Sequence, residues 1–96
     1  MIKHVVTAKL KEATPENLKA QMDLMLSMKD HIPFIKEHEV HADFVHTPVS
    51  FDIIAISTFE TKEDLDGYIA HPYHADFIQR ESEKYVSEIR LVDYEY

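Results

Sequence analysis

The chain has 96 residues, a formal net charge of −8 from 18 acidic and 10 basic side chains, and no cysteine. That length sets one small domain, residues 1–96, with a modest core that a partner subunit would help to bury. The acidic balance and scattered Lys and Arg exclude a nucleic-acid binder and disfavour an anionic membrane surface. The missing thiols exclude a disulfide framework, a thiolate nucleophile and a Cys-type zinc site.

A hydrophobic fraction of 45% is ordinary for a globular protein, and no apolar run approaches the ~20 residues needed to span a bilayer. The opening Met1-Ile2-Lys3-His4-Val5-Val6 lacks a long apolar h-region and a small-residue cleavage site, so a cytoplasmic protein is expected. Protonation of all seven histidines would take the charge from −8 to −1, which predicts poor solubility near pH 5.

Ile2 to Leu10 reads as the first strand, with Ile2, His4, Val6, Ala8 and Leu10 on one face and Lys3, Val5, Thr7 and Lys9 on the other. A single histidine is thus embedded in an apolar face. Thr14-Pro15-Glu16 opens a helix: Thr caps, Pro suits the first helical position, and Glu favours the positive end of the dipole. Leu18, Met22, Met25, Leu26 and Lys29 follow at helical spacing, widened by Leu24 and Met28, and Pro33 ends the helix.

Residues 36–44 alternate weakly, with Val40, Ala42 and Phe44 on one side and Glu37, Glu39 and His41 on the other, as in a half-exposed edge strand. Residues 45–50 form a loop. Phe51 to Phe59 is the clearest strand, with Phe51, Ile53, Ala55, Ser57 and Phe59 on one face and Ile54 and Ile56 on the other. Thr61-Lys62-Glu63-Asp64 resembles a capping box that opens a second helix through Leu65, Tyr68 and Ile69. Pro72 interrupts that helix and restarts a helical segment carrying Phe77, Ile78 and Tyr85, before a last strand at Ile89–Tyr94.

The order β-α-β-β-α-β is the ferredoxin-like arrangement of an α+β domain. Both helices on one sheet face leave the other bare, with Ile54 and Ile56 on it, which predicts a homodimer closed through that open sheet face.

Tyr68-Ile69-Ala70-His71-Pro72-Tyr73-His74 places a phenol and two imidazoles around a helix-breaking proline. Imidazole titrates near neutrality, so a fixed His beside a Tyr hydroxyl can move a proton at physiological pH. The bland reading is a buried hydrogen-bond network that ties the broken helix to the sheet. Metal binding is a rival: His71 and His74 stand at i, i+3, yet the proline disturbs the shared helical face, and no Cys pair or His-Glu-x-x-His motif is present. No metal site is expected. None of Ser50, Ser57, Ser82 and Ser87 sits in a nucleophile elbow. Methionines at 22, 25 and 28 read as adaptable core filling that would also suit an apolar ligand.

The opening Met1–Val6, the run Phe51–Glu60, the segment Tyr68–His74 and the terminal Val92-Asp93-Tyr94 resemble the stress-responsive A/B barrel (Dabb) family, a branch of the dimeric α+β barrels. The resemblance covers nearly the whole chain and is weakest around residues 36–50. It implies a dimeric α+β barrel with a small apolar or carbonyl-containing molecule bound between sheet and helices. The plant polyketide cyclase branch, typified by olivetolic acid cyclase, is a more distant likeness, and its chemistry needs no metal or organic cofactor. By position in the motif, Tyr68 matches that branch's catalytic tyrosine, His74 its catalytic base, and His4 a first-strand pocket histidine. The implied lining is Val6, Ala8, Met22 and Met25, with Ala55, Phe77, Ile89 and Leu91, and His71 beside them in the turn. Met and Ala stand where the plant enzymes have larger aromatics, which implies a different substrate. The cofactor-free monooxygenases and haem-degrading enzymes of the wider superfamily commonly use Asn, Trp and His, and this chain has no tryptophan. Three roles follow as expectations: a small-molecule binder, a cofactor-independent proton-transfer enzyme, or a non-catalytic stress protein.

Overall fold

A computed structural model describes all 96 residues. The strands are β1 (Ile2–Leu10), β2 (Glu37–Ala42), β3 (Ile53–Phe59) and β4 (Val86–Glu95); the helices are α1 (Pro15–His31), α2 (Lys62–Ala70) and the short α3 (Gln79–Ser82). A wide π-helical segment, Tyr73–Ile78, runs directly into α3. The sheet is antiparallel in the order β2-β3-β1-β4, the ferredoxin-like topology anticipated from the element order.

Local chemistry accounts for the element ends. Thr14 Oγ1 accepts from Asn17 N at 3.2 Å, and Thr61 Oγ1 accepts from Asp64 N at 3.1 Å, so α1 and α2 each begin on a hydroxyl cap. The only glycine is Gly67 in α2, so the β2–β3 loop turns without one. There His46 adopts φ 57°, and its backbone N–H donates to Asp43 Oδ2 at 2.8 Å.

The core lies between the sheet and one layer of helices. Ile2, Ala8 and Leu10 of β1 meet Ile53, Ala55 and Phe59 of β3, beneath Met25 and Met28 of α1 and Tyr68 of α2. On β3, Ile53 and Ala55 are buried while Ile54 and Ile56 on the opposite face are only half-buried. That alternation puts Ile54 and Ile56 on the bare side of the sheet.

Three expectations change. β2 ends at Ala42, so Phe44 leaves the strand face and is exposed. The buried stripe of α1 is Gln21, Met25 and Met28, so the helix is rotated from the face centred on Leu26, which is exposed. β4 starts at Val86, three residues before Ile89, and Tyr85 belongs to the turn that precedes it.

β4 extends beyond the cover of α1 and α2. Ile89 and Leu91, on the helix-facing side, are 46% and 56% exposed, and Val92 on the other side is 64% exposed. Both faces of this edge strand therefore present apolar side chains to solvent.

Candidate functional site

The Tyr68–His74 segment folds as the proline dictates. Pro72 forces His71 into an extended conformation (φ −61°, ψ 133°), so α2 stops at Ala70 and a new helical turn starts at once. His71 Nδ1 accepts from the backbone N–H of Tyr73 at 3.1 Å and serves as the cap of that new turn. His74 then falls in the π-helical stretch, where the Gln79 N–H reaches back to the His74 carbonyl.

The His74 ring is fixed by its own chain. Its Nδ1 lies 3.0 Å from the Ile69 carbonyl. A carbonyl only accepts, so Nδ1 carries the proton and the lone pair of the neutral ring is on Nε2, which has no partner within the chain. Burial pushes the His74 imidazole below its ordinary value of 6.5; the bond to Ile69 opposes this and nearby His4 adds to it. At pH 7 the ring is therefore neutral, with a free basic nitrogen.

Tyr68 is 2% exposed, and its ring centroid lies 4.6 Å from that of His74 and 5.4 Å from that of His4. Its hydroxyl finds only the sulfur of Met28, at 3.5 Å, a weak acceptor. Burial, reinforced by the Asp93 carboxylate, holds the phenol well above its usual value of 10.0. It remains a proton donor throughout the working range.

His4 and Asp93 stand opposite each other on β1 and β4 and join through Nδ1 and Oδ1. The carboxylate accepts, so Nδ1 of His4 carries a proton. His38 makes a separate contact. Its Nε2 donates to the Met25 carbonyl at 2.7 Å, and its Nδ1 accepts from the Ser57 hydroxyl at 2.7 Å. Both ring nitrogens are occupied, and the ring pins α1 to β3.

His4, Asp93, Tyr68 and His74, without His38, border a cavity of about 540 Å³, within the usual range for small-molecule sites. His4, Tyr68 and His74 all line it, as do Val6, Met25, Ala55, Ile89 and Leu91. The other four candidates lie outside the lining. Ala8 is fully buried in the core between strands. Met22 packs against the core from its edge. His71 is used as the helix cap, and Phe77 packs on Tyr73, with ring centroids 5.0 Å apart, and on the Arg80 guanidinium. His71 and His74 thus turn to different backbone partners, and no group of three or more His, Asp or Glu side chains converges in the chain.

The lining also contains Met28, one of the methionines read as suiting an apolar ligand, and residues that the sequence reading missed: Gln21, Ser57, Ser82 and Asp93. A signal existed for Asp93, which continues the parity of Ile89 and Leu91 along β4. Gln21 carried a subtler one, since it stands at i−4 from Met25 and i−7 from Met28. Its amide Nε2 donates to Ser82 Oγ at 3.0 Å, while its Oε1 is the one buried side-chain polar atom without a partner.

A ferredoxin-like α+β domain with a cavity between sheet and helices defines the class of protein. Residues 2–96 match the profile of the stress responsive A/B barrel domain, and the chain belongs to that family, Dabb. A Dabb family protein with a ferredoxin-like fold from Mesorhizobium loti superposes with a TM-score of 0.85 at 19% identity, covering 99% of this chain and 95% of that one. A protein of Arabidopsis thaliana gives 0.84 at 26% identity, covering 100% and 95%. A dimeric protein of unknown function and ferredoxin-like fold from Bacteroides fragilis gives 0.81 at 22% identity, covering 99% and 95%. None of the curated proteins matches the sequence. No helix is long and apolar enough to cross a membrane.

Proposed function

We propose that the protein binds a small, mostly apolar carbonyl compound between sheet and helices and moves a proton on it without a cofactor. One observation carries this reading: a single cavity touches both the Tyr68 phenol and the His74 ring, whose Nε2 is unpartnered. A carbonyl oxygen placed at the phenol would accept its hydrogen bond, and His74 Nε2 would take a proton from the adjacent carbon. The electron pair of that C–H bond becomes the enolate, with its negative charge on the oxygen that Tyr68 faces. Return of the proton from His74 completes an exchange. Where the same molecule holds a second carbonyl, the enolate carbon attacks it, a C–C bond forms, and the new alkoxide takes the proton from His74. That is the intramolecular aldol closure of a polyketide-cyclase-like enzyme.

The test needs no natural substrate. A methyl ketone with a ten-carbon chain, incubated in deuterated buffer, would exchange its α-protons faster with protein present, as followed by NMR. His74→Ala, with its fold intact by circular dichroism, should lose at least tenfold of that acceleration. Binding without exchange would instead support the non-catalytic reading, in which the bond from His74 to the Ile69 carbonyl serves to hold the π-helical turn.

The homodimer belongs to the same proposal. On the bare side of the sheet, the exposed Val92 of β4 and the half-buried Ile54 and Ile56 of β3 form a surface that a second copy would cover.

A further inference from the structure

Gln21 is 1% exposed, yet its Oε1 has no hydrogen-bond partner. A buried carbonyl-type acceptor left empty is costly, and native proteins leave few of them. Its placement is specific. The amide is anchored on one side by Nε2 donating to Ser82 Oγ at 3.0 Å, which joins α1 to α3, and both residues line the cavity that holds Tyr68 and His74. Apolar neighbours, Met25 of the same helix and Ile78 of the π-helical segment, border the same space.

We infer that Gln21, held by Ser82, is a specificity subsite that receives a hydrogen-bond donor, a hydroxyl in particular, on the bound molecule. The ligand class is thereby narrowed to an apolar chain carrying a carbonyl for the Tyr68–His74 pair and a hydroxyl for Gln21. The inference rests on reading the cavity as a ligand site, and it goes beyond that reading by assigning a second polar contact. A site built around a buried acceptor discriminates strongly against analogues that lack the donor, because the acceptor is then dehydrated with nothing gained.

The test is calorimetric titration of the intact protein with three probes: a ten-carbon methyl ketone, the same ketone with a hydroxyl at its far end, and the ten-carbon primary alcohol. The hydroxy-ketone should bind about tenfold tighter than the plain ketone. In Gln21→Met, which keeps the volume and removes the acceptor, that preference should vanish. Ser82→Ala, which removes the amide's anchor at little cost to the core, should also lower the preference and covers the case in which Gln21→Met does not fold.

An unchanged preference in both variants, or none in the wild type, overturns the subsite. Alcohol binding that depends on Gln21, with no gain from the ketone group, supports the subsite and refutes the carbonyl reading of the other end. Ketone binding that falls in Tyr68→Phe but ignores the hydroxyl does the reverse. Failure of all three probes to bind overturns both.

Discussion

The rings of Tyr68 and His74 lie 4.6 Å apart and tilted by 37°, in contact but not hydrogen-bonded to each other. The phenol faces the Met28 sulfur, and the imidazole spends Nδ1 on Ile69. A direct bond between them would neutralise the donor against the base. Their separation leaves both free for a third molecule. Tyr68→Phe should therefore change stability by less than about 1 kcal/mol, because the lost acceptor is only a thioether. The same variant should weaken ketone binding by about three- to tenfold. Chemical denaturation and calorimetry measure the two effects separately, and a large loss of stability would mark the hydroxyl as structural.

The pH dependence follows from the His74 environment. Since burial holds its ring below 6.5, the neutral base persists into mildly acidic solution, and the acid limb of the exchange rate should fall below that value. Tyr68 stays protonated well beyond 10.0, so no basic limb should appear through pH 9. A rate that begins to decline above pH 7 on acidification would contradict the assignment.

Stability should respond with the same sign. His38, lowered mainly by burial, and His74 both have folded-state values below 6.5. The unfolded chain therefore binds protons at these rings at a higher pH than the folded chain does. Their contribution is fully present above about 6.5 and is lost as pH falls through the lower folded-state values. Urea midpoints should drop between pH 7 and 5.5, and His38→Gln should flatten that drop. A midpoint that rises on acidification would be the wrong sign. The two partly buried rings also resist charging, so the protein should retain more of its negative charge near pH 5 than seven free histidines would allow.

Thr61 holds the start of the helix that carries Tyr68. Its hydroxyl cap lies on an exposed residue, so Thr61→Ala should cost about 1 kcal/mol, with Thr61→Ser close to wild type. For a domain of this size that is a fall in Tm of about 4–8 °C. No change in Tm would mean the cap contributes little.

The bare sheet face gives the assembly prediction. Val92 pairs with Val5, and Val5 with Ile56, so Val92 is the exposed outer end of an apolar strip across the bare face, and one substitution there addresses it. Wild-type protein should sediment as a dimer at micromolar concentration, and Val92→Asp as a monomer with its helical signal intact. A wild-type monomer would refute the proposed interface.

Much of the fold was legible because its signals are local. The alternation of Ile2 to Leu10, the Thr14-Pro15 start and the Thr61 cap depend on neighbours in sequence, and the helix starts matched to the residue. Phe44 misled because the period of two continued past the last paired residue, and pairing depends on β3. The site was partly legible: the Tyr68–His74 motif drew attention through residue type, and the parity of β1 placed His4 on the helix-facing side. Asp93 was passed over because its contact with His4 depends on the register of two strands 89 residues apart in sequence. Gln21 was passed over because a polar residue on a helix is assigned to solvent until the helix rotation is known. His71 and His74, alike in sequence, diverge because Pro72 makes one a cap and leaves the other facing the cavity.

A crystal structure of the protein soaked with the ten-carbon methyl ketone bears most directly on the site. The carbonyl oxygen should lie within hydrogen-bond distance of the Tyr68 hydroxyl, with the α-carbon facing His74 Nε2 and the chain running along Met25 and Ile78. A ketone bound elsewhere, or a cavity closed by its own side chains while the protein remains folded, would contradict the account.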